Sequence, residues 1–119
     1  MGKKCIDANV ILRRILRDNE EMAARADQVF IEGAWTFPAV IAEVVYVLSR
    51  VYKVDRQHIS LTLLTVLDEI DVERPLIMVR AAQLFGSTRL DFVDCLLAAY
   101  HEIEKVDVFT FDKELNAHL

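Results

Sequence analysis

The chain's 119 residues fit one domain, and a chain of this length buries roughly 65% of its unfolded surface without needing disulfides. Apolar residues make up 54%, against roughly 45–50% in ordinary domains, which excludes disorder and sends the excess into a core or an interface. The net charge of −5 is uneven: residues 1–17 hold five basic side chains and one acid, whereas the remainder holds nine basic and eighteen acidic ones. That balance argues against binding nucleic acid over the whole surface and leaves a local basic edge near the N-terminus.

Lys3-Lys4-Cys5-Ile6 reads as a short strand entering the core, and Asp7-Ala8-Asn9 as the turn into a helix over Val10 to Leu16. Asn19-Glu20-Glu21 has the pattern of a cap followed by first-turn acids and opens a helix to about Glu32, which Gly33 ends. Its apolar positions are Met22, Ala26, Val29 and Phe30. Trp35-Thr36-Phe37 is expected as a strand, and Pro38 suits the first turn of a helix to about Val51. Gln57 to Ile70 is a further helix, with Ile59, Leu63, Leu64, Val66 and Leu67 facing the core. Asp71-Val72-Glu73 reads as an edge strand, Pro75 to Phe85 as a helix, and Gly86-Ser87-Thr88 as its break. Asp91 begins a helix to about Glu102. Val106 to Phe111 has the β-branched and aromatic bias of a strand, and Asp112 to Ala117 closes the chain as a helical turn. Strands alternating with helices predict an α/β domain with a mainly parallel sheet and right-handed crossovers, organised as a single domain over 1–119.

Gly33 to Leu48 is the longest apolar candidate for a membrane span, but it is too short and is interrupted by Glu43. Charged residues break any leader pattern at the start, so no membrane association and a cytoplasmic location are expected. Cys5 and Cys95 lie far apart with no CxxC, which predicts two buried, reduced thiols.

The informative residues are carboxylates in apolar surroundings. Asp7 follows the first expected strand and Asp112 the last, where open α/β sheets bind ligands; each is also placed to cap the helix after it. Glu43 is the only charged residue between Pro38 and Leu48, so it should face a cation, a donor network or a cleft, unless that helix face is partly exposed. Asp91 and Asp94, three apart, share one side of a helix start, as a metal-binding pair or as a cap and first-turn acid. Carboxylates within about 4 Å repel by roughly 4 kcal/mol at an effective dielectric of 20, so a converging set needs a cation. Oxygen donors without a Cys or His cluster favour Mg2+ or Mn2+, ions that activate water for attack on a phosphodiester. HExxH, the P-loop and GxGxxG are missing. His58, His101 and His118 read as surface histidines, and Ser49, Ser60 and Ser87 form no nucleophile elbow.

Four segments in order carry a family resemblance: Ile6-Asp7-Ala8-Asn9-Val10-Ile11-Leu12, Ala42-Glu43-Val44-Val45-Tyr46-Val47-Leu48, Asp91-Phe92-Val93-Asp94-Cys95-Leu96-Leu97-Ala98-Ala99 and Phe109-Thr110-Phe111-Asp112. Together they resemble the PIN domain, particularly the VapC-type ribonuclease toxins of toxin–antitoxin systems. The resemblance implies a PIN-like α/β/α sandwich and a metal-dependent endoribonuclease with Asp7, Glu43, Asp94 and Asp112 around Mg2+ or Mn2+. Asp91 is an additional acid of one branch, and Asn9 and Thr110 match polar positions that orient the carboxylates. An RNA substrate, a cognate antitoxin protein and a homodimer are implied as well. Arg13, Arg14 and Arg17 are the candidate phosphate contacts, with Arg50, Arg89 and Lys113 behind them. A catalytically silent PIN-like domain that binds RNA or a protein is the alternative. A receiver domain or a haloacid-type hydrolase would place a further acid near Asp7, at position 9 in the second case, where this chain has Asn9.

Overall fold

A computed structural model describes residues 3–119. Strands β1 (Lys4–Cys5), β2 (Ala34–Thr36) and β3 (Asp71–Val72) form an all-parallel sheet in the order β1-β2-β3, with Lys4 opposite Ala34 and Trp35 opposite Asp71. Seven helices accompany it among the described residues: α1 (Ala8–Leu16), α2 (Glu20–Glu32), α3 (Pro38–Arg50), α4 (Arg56–Glu69), α5 (Pro75–Ser87), α6 (Phe92–Glu104) and α7 (Lys113–Asn116). The parallel α/β class expected from the alternation of strands and helices is the class observed. None of these helices is long and apolar enough to cross a membrane.

Caps set the helix boundaries. Asp7 accepts from the Val10 amide at 3.1 Å, so α1 begins at Ala8, ahead of the apolar spacing that signals it. Asn19 and Asp55 cap α2 and α4 in the same way, while Pro38 and Pro75 open α3 and α5. Gly33, at φ 113°, turns α2 directly into β2. In α2 the buried face is Ala23, Ala26 and Phe30, whereas Met22 is exposed and Val29 half-buried. In α4, Ile59, Leu63 and Val66 are buried, and Leu64 and Leu67 half-buried.

α1 packs on α2 and α3, α3 reaches α4 and α6, and α5 sits between α4 and α6. One core joins them through Ile11, Ile41, Leu48, Leu63, Met78 and Leu115. Inside the sheet, the buried Thr36 hydroxyl donates to the Ile6 carbonyl at 2.9 Å, which ties the end of β1 to β2.

Three expectations are corrected. Gly86 does not break α5, which runs on to Ser87, because the missing side chain is what α4 needs: a Cβ at Gly86 would stand 2.7 Å from Ser60 Cβ. Ser60 donates to the Ala82 carbonyl at 2.7 Å across the same contact. Val106 to Phe111 is not a strand. Three of its polar groups are bonded locally, with Val106 O bonded to the His101 ring, Thr110 O accepting from Asn116, and the Thr110 hydroxyl accepting from the Asp112 amide. Phe109 and Phe111 stack edge to face on the surface, 84% and 90% exposed. The third correction is Cys5, which lies exposed on the edge strand β1, whereas Cys95 is buried; both thiols are free.

Candidate functional site

Asp91 and Asp94 stand at the start of α6, in the wall of a cleft of about 620 Å3 between that helix and α3. Asp91 is the N-cap residue but makes no cap hydrogen bond with its side chain, so its carboxylate remains free for other partners. Asp94 is half-buried in the first turn. Its pKa is raised, first by burial, then by the charges of Asp112 and Asp91. The fold therefore gathers these three acids into one electrostatic neighbourhood, although the segment leading to Asp112 is not a strand. Cys95 feels two of them: burial above all, and then the charges of Asp94 and Asp91, push its thiol up to about 11 and leave it inert as a nucleophile.

Asp112 is held by its own short helix. Its side chain accepts from the Leu115 amide at 3.0 Å, Leu115 is buried in the core, and Thr110 fixes its amide from the other side. Asp7 is exposed beyond β1 and spends one oxygen on the cap of α1. Glu43 is also exposed. Ile41, Val44, Val45 and Leu48 take the buried face of α3, which leaves Glu43 on the outer face with Tyr46 and Arg50. The expectation of a partly exposed face is thus the one met at Glu43. Asn9 is exposed in α1 and makes no hydrogen bond among the described residues.

None of these five carboxylates pairs with a lysine or arginine among the described residues. In kind they fit a hard divalent cation, because they are all oxygen donors and the repulsion around Asp94 is uncompensated. In place they are not yet a cage: no three Asp, Glu, His or Cys side chains among the described residues are grouped closely enough to hold a metal ion. Of the five, Asp91, Asp94 and Asp112 are electrostatic neighbours.

The N-terminal arginines are engaged within the fold. Arg13 pairs with Asp18 at 2.7 Å, Arg14 with Asp27 and Glu69 at 2.6 Å each, and Arg17 with Asp27 at 2.8 Å. The cleft instead brings Arg50 and Arg56 to the acids. Arg56 went unnoticed in the sequence. Its guanidinium lies 3.8 Å over the Phe85 ring and donates to the Phe85 and Leu90 carbonyls, bonds that local spacing does not reveal.

The class of domain follows from the family comparison, which gives a nuclease-type fold. The PIN domain family model matches residues 4–118, and the chain belongs to that family. No curated protein and no solved structure matches it.

Proposed function

We propose that the protein is an endoribonuclease dependent on Mg2+ or Mn2+, and that it serves in the cytoplasm as the toxin of a toxin–antitoxin pair, working as a homodimer and silenced by a small antitoxin protein. The observation that carries the nuclease reading is the half-buried Asp94, pressed by Asp112 and Asp91 without a compensating cation, at the wall of a cleft that also holds Arg50 and Arg56. Membership of the PIN family supports the same chemistry.

In this reading Asp94, Asp112, Asp7 and Glu43 supply the oxygen ligands, with Asp91 as a further one. The bound cation supplies an activated water and shields charge on the leaving oxygen. Thr110 acts on Asp112 by accepting from its backbone amide and Leu115 by donating its amide to the carboxylate, and the arginines of the cleft draw the phosphate of the substrate toward the acids. Arg13, Arg14 and Arg17 have a smaller part in binding than their sequence position suggests, because their charges are answered by Asp18, Asp27 and Glu69.

The test is cleavage of single-stranded RNA with Mg2+ or Mn2+. Asp94→Asn is expected to lower the rate by about 100-fold or more, since even partners that only orient metal ligands are worth about 10–100-fold. Its melting temperature in chelator should not fall, because the substitution removes a buried charge and two repulsions. Undiminished cleavage in Asp94→Asn, with host nucleases excluded, refutes the assigned site, and a wild-type protein that cleaves no RNA with either ion refutes the nuclease. The toxin role is read from growth arrest on expression and its relief by a protein encoded next to this one.

A second reading is a catalytically silent PIN domain that binds RNA or a protein, and it is favoured by the lack of any close group of three metal-ligating side chains among the described residues. Calorimetry with Mn2+ separates the two: the nuclease takes up the ion in a carboxylate-dependent way, and the silent domain does not.

A further inference from the structure

We infer that the cleft between α3 and the start of α6 seats the nucleotide next to the scissile bond of a single-stranded RNA, with Arg50 on its phosphate and Tyr46 stacked on its base; this rests on the nuclease reading above. Glu43, Tyr46 and Arg50 recur at helical spacing on the outer face of α3. From Glu43 to Arg50 the helix rises about 10 Å, so one stripe leads from an acidic end to a basic one.

The two arginines of the cleft differ in what they are free to do. Arg56 is stapled to Phe85 and Leu90 and contributes a fixed positive charge. Arg50 is exposed, has no carboxylate partner among the described residues, and stands 5.9 Å from the centroid of the Tyr46 ring. Its planar fork is therefore open to a phosphate. Tyr46 lines the cleft yet is 62% exposed, with Arg50 over its ring at 5.9 Å, so much of the ring remains open to solvent. Every unpaired base has a matching face, whereas the bases of a duplex are already stacked on one another. Phosphate is drawn to the arginines and repelled by Asp91 and Asp94, which line the same cleft.

The experiment is fluorescence anisotropy with a short labelled oligouridylate in EDTA, where binding is read without cleavage. Arg50→Ala is expected to weaken binding about tenfold and to reduce the salt dependence by about 0.7 in the log–log slope, the equivalent of one phosphate. Tyr46→Ala is expected to weaken binding about tenfold, Tyr46→Phe to restore it, and an abasic strand to be indifferent to Tyr46→Ala. Both side chains are on the surface, and circular dichroism with Arg50→Gln as a second variant separates binding loss from misfolding. Wild-type affinity in both alanine variants, an equal Tyr46→Ala loss on the abasic strand, or duplex RNA competing as well as single strands overturns the inference. Asp94-dependent cleavage without these binding losses leaves the nuclease standing and removes the subsite. Binding that depends on Arg50 and Tyr46 in a protein that cleaves nothing with any divalent ion does the reverse.

Discussion

Two parts of the molecule treat their charges in opposite ways. At the corner where α1 meets α2 and α4, Arg14 and Arg17 converge on Asp27, Arg14 reaches on to Glu69, and Arg13 closes on Asp18. Arg14 also lies 4.7 Å over the Phe30 ring, so charge and packing reinforce each other there. At the start of α6, Asp91 and Asp94 stand near Asp112 with no cation paired to them among the described residues, and burial first, then the charges of Asp112 and Asp91, make Asp94 resist ionisation. The first arrangement stabilises the fold. The second costs it stability, which is the mark of groups kept for a ligand rather than for packing.

That contrast can be broken at several points. Leu115→Ala removes the buried anchor of α7 and is expected to lower unfolding stability by about 3 kcal/mol, measured by urea denaturation, and to release Asp112 from its place beside Asp94. Asp7 separates capping from charge. Asp7→Asn keeps the cap of α1 and its stability, whereas Asp7→Ala melts lower by the equivalent of about 1 kcal/mol; both should lose RNA cleavage. Asp27→Asn tests the compensated corner. Arg17 first, and then Arg14, hold the Asp27 carboxyl at about 2 against an ordinary 3.8. Its contribution is therefore present above about pH 4 and lost as the pH falls through about 2. Acid titration followed by circular dichroism should show a shallower loss of stability over that interval in Asp27→Asn. The smallest effect belongs to Arg17→Ala, which should change cleavage by less than about twofold and leave its salt dependence unaltered. A clear loss there would restore the N-terminal arginines as phosphate contacts.

The caps and prolines made the helices legible in sequence, since Asp7, Asn19, Pro38 and Pro75 act on neighbours within one turn. The acids at the start of α6 were legible too, because an apolar background makes Asp91 and Asp94 conspicuous. The partners of the arginines were not: Glu69 lies 55 positions from Arg14 and Tyr52 lies 39 from Arg13, distances over which no periodicity carries information. The aromatic and β-branched run at Val106 to Phe111 misled for a related reason. Such residues favour a strand only where another strand has an edge to offer, and here His101, Asn116 and Asp112 take up three of its polar groups instead. Glu43 showed the opposite limit: a charged residue in an apolar run can simply be the exposed side of its helix.

The meeting of Gly86 with Ser60 has a consequence for how such a chain can drift over generations. With 2.7 Å between the place of a new Cβ and the one already on α4, any side chain at position 86 requires either a smaller residue at position 60 or a shift of one helix along the other. Ser60 is itself bound to Ala82, so such a shift would also break that bond. Positions 60 and 86 should therefore behave as one inherited character, and relatives that carry alanine at 86 should carry glycine at 60.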